Sequence, residues 1–182
     1  MKTRIKMPIG FWSVILGAMC VISCGEKQKR SFNAFDTYLQ FYQEVNDSLS
    51  KNPRYVCAEA QKRMTATTDS TTYYHYVMLL AKAYMFRSDS AAVCMNQAEA
   101  YCHRNAPTPQ ISDLYADIYN MRGNVLARQA LVDSAVICFS KALNYRLNGD
   151  RKEVLPDISI NLADAYVRTG QYDKGALWYR KS

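Results

Sequence analysis

The chain has 182 residues, 49% of them hydrophobic and 21% charged, with seven Gly, five Pro, six Cys and a formal charge of +7. That length supports one domain with a sizeable core, and the composition excludes collagen-like, low-complexity and wholly disordered chains. Seven glycines also leave little material for the phosphate-cradling loops of nucleotide enzymes, so the first expectation is a folded, mostly helical domain.

The first element is a leader. Lys2, Arg4 and Lys6 precede an apolar run from Met7 to Ile22. That run is shorter than the roughly 20 residues a spanning helix needs, so residues 1–23 read as a signal peptide, outside the mature fold. Its removal takes away three cations and no acid, which brings +7 down to +4 and weakens the case for nucleic acid. The end of the run, Val21-Ile22-Ser23-Cys24, followed by Gly25, resembles the lipobox of bacterial lipoproteins. Val21 and Ile22 depart from its commonest form. Cys20 is a poorer candidate because bulky Met19 precedes it. The resemblance implies cleavage before Cys24 and diacylation of its thiol, usually with a further chain on the new amine. Two or more chains, at about 0.8 kcal/mol per buried methylene, anchor a protein stably. Residues 24–30 then form a polar, basic tether, in which Lys27, Lys29 and Arg30 can lie against anionic headgroups or remain solvated.

From residue 31 apolar side chains recur at spacings of three and four, as in Phe35, Tyr38, Leu39, Tyr42 and Val45, and strand-like alternation is never sustained. Breakers at Asn52-Pro53, Thr67 to Ser70, Pro107-Thr108-Pro109, Asn148-Gly149-Asp150 and Pro156 divide the chain. The spacing predicts eight helices, at 33–50, 53–66, 71–87, 90–105, 109–129, 132–148, 154–169 and 172–182.

A repeat emerges when Gly123 is placed over Ala163. Leu126 then falls on Tyr166, Val132 on Tyr172, Asp133 on Asp173, Ala135 on Gly175 and Phe139 on Tyr179, a period of forty residues read directly from the chain. A third copy lies upstream in Leu80-Ala81, Tyr84, Ala91, Met95 and Ala98. Helical pairs that recur in this way stack, each burying its apolar face on its neighbour. The stretch from Leu162 to Tyr179 follows the pattern of the tetratricopeptide repeat (TPR) family from the first helix through the turn into the second. The similarity is strongest over 156–182, good over 116–149, partial over 74–105, and only of helical-hairpin quality over 31–66. It implies an all-α fold, an α-solenoid of about four stacked antiparallel hairpins over 31–182. Small residues (Ala81, Gly123, Ala163) fall where paired helices approach, and bulk (Tyr84, Leu126, Tyr166) between them. Long linkers such as Leu147 to Leu155 make the units longer than the usual 34 residues and are expected to loosen the superhelix.

In that family first-helix side chains line a concave groove that takes a peptide. By register the groove residues are His75, Met78 and Lys82, then Asn120, Asn124 and Arg128, then Ile160, Asp164 and Arg168. Asn124 and Arg128 are similar to groove residues of carboxylate-gripping members, but Asn120 replaces their Lys, so terminal-carboxylate recognition is not assigned. The fourteen tyrosines are compatible with a recognition surface, although packing already accounts for many of them.

No phosphate loop, HExxH, G-x-S-x-G or CxxC occurs. No catalytic residue, cofactor or metal is assigned, and an enzyme is not expected. Cys94 and Cys102 lie about 12 Å apart on one helix, too far to share an ion or a disulfide. Cys57, Cys94, Cys102 and Cys138 are expected to be small apolar filler. The chain stops at Ser182 without a polar capping helix, with exposed apolar surface expected on Leu177, Trp178 and Tyr179, so truncation of a longer protein or self-association there is expected. Two function classes follow: a lipid-anchored adaptor in the bacterial envelope, at the outer membrane or the periplasmic face of the inner one, that binds a protein or peptide; or the input region of a longer membrane-associated transcriptional regulator or histidine kinase.

Overall fold

The structure is a computed structural model that describes residues 33–85 and 88–182. The leader, Cys24 and the tether lie outside the described residues. Those described form α1 (Ala34–Val45), α2 (Ser48–Lys51), α3 (Pro53–Ala66), α4 (Ser70–Ala83), α5 (Ser88–Arg104), α6 (Pro109–Arg128), α7 (Val132–Leu147), α8 (Leu155–Arg168) and α9 (Tyr172–Tyr179), with one 3-10 turn at Lys152–Val154. No strand occurs among them, and the fold is all-α as the periodicity requires.

The helix starts follow local chemistry. Asn33 and Asp36 close a reciprocal capping box on α1, Asp36 N donating to Asn33 Oδ1 at 2.8 Å. Asn52 and Thr108 accept from the third residue of α3 and α6, each just before a proline whose missing N–H costs nothing there. Asp69 caps α4 through Thr72 N at 2.7 Å. Three predicted spans end three or more residues early in the structure, the last of them, expected over 172–182, at Tyr179. The first helix ends at Val45 and resumes as the one-turn α2, because Asn46-Asp47 interrupts it, and the helix expected over 71–87 ends at Ala83.

Helix pairs α4/α5, α6/α7 and α8/α9 pack together, α3, α5 and α7 each pack on the next helix, and α4 meets both α1 and α6 while α6 meets α8. The small residues of the repeat sit at these approaches. A Cβ on Gly123 would stand 2.5 Å from the Phe139 ring, and one on Gly175 would stand 2.6 Å from Val167 Cγ2. Ala81, Ala135 and Ala163 are fully buried. The two clearest turns also match. Gln129 N donates to Val125 O and Thr169 N to Ala165 O, both at 3.1 Å, and Leu131 N to Leu126 O and Gln171 N to Tyr166 O, both at 2.9 Å. Ala130 (φ 62°) and Gly170 (φ 76°), forty residues apart, take the same left-handed conformation.

Three apolar clusters carry the packing. Phe35, Tyr38, Phe41, Val56 and Leu79 join α1, α3 and α4. Met78, Met95, Leu114 and Ile118 join α4, α5 and α6. Ala135, Phe139, Leu162 and Ala165 join α7 and α8. Trp178 packs against the last cluster and so is not part of the exposed face expected of it, whereas Tyr172, Leu177 and Tyr179 are exposed.

Candidate functional site

The sequence register places its groove residues on α4, α6 and α8, and the structure separates them into two groups. Between α6 and α8 lies a recess of about 190 Å³ lined by Asn124, Arg128, Asn161, Asp164 and Arg168, with Phe139 also at its wall. Four of the nine expected residues therefore meet in one place. Arg168 Nη2 donates to Ala127 O at 2.7 Å and Arg128 Nη1 to Met85 O at 3.4 Å, which ties both guanidinium groups to backbone at the margin of the recess. Asp164 accepts from the Tyr179 hydroxyl. Asn120 accepts from Asn161 Nδ2 at 3.0 Å, and Ile160 is exposed nearby on α8. Two guanidinium groups, two amides and one carboxylate in a shallow recess can read the carbonyls, amides and charges of an extended chain. No nucleophile paired with a base lies among the residues that line it.

The α4 residues do not belong to a groove. His75 and Met78 have no exposed surface. His75 lies between the Phe35 and Tyr38 rings, with centroids 4.8 and 5.1 Å away, and burial, aided by Arg151, pushes its imidazole down to about 3. Lys82 turns inward, and its Nζ lies 3.3 Å from Tyr42 Oη and 3.4 Å from Asp117 Oδ1. The physical reason is that α4 is covered on several sides: α1 lies over His75, α5 and α6 enclose Met78, and Asp117 draws Lys82 inward. Rather than loosening the stack, residues 148–154 fold back over α6 and insert Arg151 into the interior.

There the register gave no warning of a buried charge cluster. Asp113 and Asp117 share one face of α6, and both are buried. Arg146 of α7, also buried, bridges them, with Nη1 to Asp113 Oδ1 at 2.5 Å and Nη2 to Asp117 Oδ1 at 2.7 Å. Arg151 Nη1 donates to Asp117 Oδ2 at 3.0 Å. Asp113 Oδ2 receives the backbone N–H of Asp150 (3.0 Å) and of Arg151 (3.1 Å). Burial alone would raise the Asp117 carboxyl. Lys82, Arg151 and Arg146 overcome that and hold it well below the usual carboxylate range. A signal existed in the chain: Asp113 and Asp117 at i and i+4 fall among Ile111, Leu114, Ile118 and Met121, and Arg146 continues the buried face of Phe139 and Ala142.

Other residue types resolve as packing. Tyr119 and Tyr145 stack with centroids 5.7 Å apart and planes 3° apart, and Tyr74 stacks on Tyr101 at 4.3 Å. Cys57, Cys94, Cys102 and Cys138 are free thiols, and burial pushes Cys102 up to about 12, which leaves it a poor nucleophile. His103 shares a 3.1 Å hydrogen bond with Tyr115 Oη. Among the described residues no group of His, Cys, Asp and Glu is arranged to hold a metal, and no helix is long and apolar enough to cross a membrane. Compared with family models, curated proteins and solved structures, the chain matches none.

Proposed function

We propose that this protein is an exported, lipid-anchored scaffold whose helix pairs form a short TPR-type solenoid and which binds a protein or peptide through the recess between α6 and α8. The observation that carries the binding reading is the convergence of Asn124, Arg128, Asp164 and Arg168 on one opening. The repeat reading is supported by the turns at Ala130 and Gly170, which share hydrogen bonds and left-handed backbone at a spacing of forty residues. Anchoring rests on the lipobox-like Val21 to Cys24 and on the basic tether behind it. Its place is then the bacterial envelope, at the outer membrane or the periplasmic face of the inner one.

The test of the recess is affinity capture with the full chain, comparing the unaltered protein with Asn124→Ala combined with Arg128→Ala. The pair removes a hydrogen-bonding amide and a charge from the opening without touching a buried cluster, so far-ultraviolet circular dichroism should be unchanged while partner yield falls at least tenfold. Equal recovery of the same partners from both proteins overturns the assignment. For the anchor, Cys24→Ala should abolish metabolic labelling with fatty acid, and labelling that persists refutes it.

A further inference from the structure

The interior between α1, α4 and α6 is arranged around a guanidinium group. Arg151 is 1% exposed, yet it stands between exposed Asp150 and Lys152 on a surface segment. Its Cζ lies 4.5 Å from the centroid of the Tyr42 ring and 5.9 Å from that of Tyr38, within range of cation–π attraction to both. Arg146 and Lys82 both use Asp117 Oδ1, which leaves Oδ2 for Arg151 Nη1. Arg151 Nη2 is buried without a hydrogen-bond partner. One free carboxylate oxygen and two aromatic faces are what recognition of a planar cation requires, and a lysine ammonium would lose the stacked plane.

The segment that delivers Arg151 is fastened to α6 by polar contacts. None of its side chains belongs to the three apolar clusters. Besides the Arg151 side chain, it is fastened by the Asp150 and Arg151 amides on Asp113 and by Gln110 Nε2 donating to Asp150 Oδ2 at 3.0 Å. Tyr42 and Lys82 are only partly buried, so the chamber reaches solvent at their edge. We infer that this chamber is a guanidinium-binding site closed by the chain's own Arg151, and that an arginine side chain of a bound peptide takes its place when residues 148–154 lift. Exchange of one guanidinium for another leaves the charge balance around Asp117 unchanged. The peptide as natural ligand rests on the binding function proposed above, whereas the site itself does not.

The test uses the full chain with Arg151→Ala, which empties the chamber while Asp117 keeps Arg146 and Lys82. Titration with ethylguanidinium should raise the Tm of this variant saturably, by about 3 °C near tenfold excess over Kd, and leave the unaltered protein unchanged. Ethylammonium should give no such rise. Equal shifts for variant and unaltered protein, equal shifts for the two cations, or no shift overturn the inference. Should Arg151→Ala fail to fold, Gly149→Ala serves instead, because a Cβ there would collide with the Asp113 carboxylate and push the segment off with every charge retained. That variant should bind a labelled acetyl-Gly-Arg-Gly amide at least tenfold more tightly than the unaltered protein, and citrulline in place of arginine should abolish the gain. Equal affinities refute the site. Neither measurement involves Asn124 or Arg128, so failure here and failure of the α6/α8 recess are told apart.

Discussion

Asp117 shows how much a single side chain can organise. Three cations from α4, α7 and the 148–154 segment point at it, and of the four only Lys82 has an edge on bulk water. Removal of the negative charge strands Arg151 in a low-dielectric interior and leaves Arg146 only Asp113, so Asp117→Asn should cost about 3 to 5 kcal/mol in urea unfolding. A loss under 1 kcal/mol would mean that the cluster is far wetter than its burial indicates. His75 supplies a separate pH dependence. It faces Arg151, Arg146 and Asp117 with Phe35 and Tyr38 against its ring, and its imidazole stays neutral down to about 3 in the fold. The unfolded state takes up that proton below about 6.5, so its contribution to stability is complete above that pH and is lost as pH falls toward 3. From pH 7 to pH 5 the loss should be about 2 kcal/mol, at 1.36 kcal/mol per pH unit below 6.5. His75→Leu should flatten that slope, and an unaltered slope removes His75 as its source. Asp117, whose folded carboxyl is depressed, adds its own loss only lower, as pH falls below about 4.

At the scale of the element, caps and breakers were legible because they are local: Asn33, Asn52, Asp69 and Thr108 satisfy N–H groups within three residues of themselves. The interruption at Asn46-Asp47 was less so, since the apolar spacing continues across it into Leu49. The turn that repeats at forty residues carries a substitution of its own. Gly170 takes φ 76° freely, whereas Ala130 takes φ 62° at a cost of about 1 kcal/mol that glycine would avoid. Some of that gain returns as unfolded-state entropy, so Ala130→Gly should stabilise by about 0.5 kcal/mol. Destabilisation in thermal melts would show that the alanine methyl packs. The 148–154 segment was misread for the opposite reason. Asn148-Gly149-Asp150 announces a turn correctly, but nothing in the spacing tells that the next residue, Arg151, finds its partner on a helix thirty-four positions back.

For the molecule as a whole, each apolar cluster is shared between successive helices, so stability should grade along the chain rather than rest on one core. The α7/α8 cluster has the fewest buried members, and α9 leaves Tyr172 68% exposed with Tyr179 exposed beside it. Amides of α9 should therefore exchange by local opening at least a hundredfold faster than those of α4 and α6, and uniform protection would indicate one cooperative unit. The helical class, the forty-residue period, the close approaches at Gly123, Ala163 and Gly175 and four residues of the α6/α8 recess were determined by the sequence alone. They follow from spacing along single helices and from side-chain size, which the chain displays directly. Only the tertiary structure decided that His75 and Met78 are interior, that Lys82 faces Asp117, and that Arg151 closes the space between α1, α4 and α6. Those outcomes depend on long-range electrostatics: a charge enters the interior only where opposite charges from other helices have already gathered, and that meeting is invisible until the helices are packed.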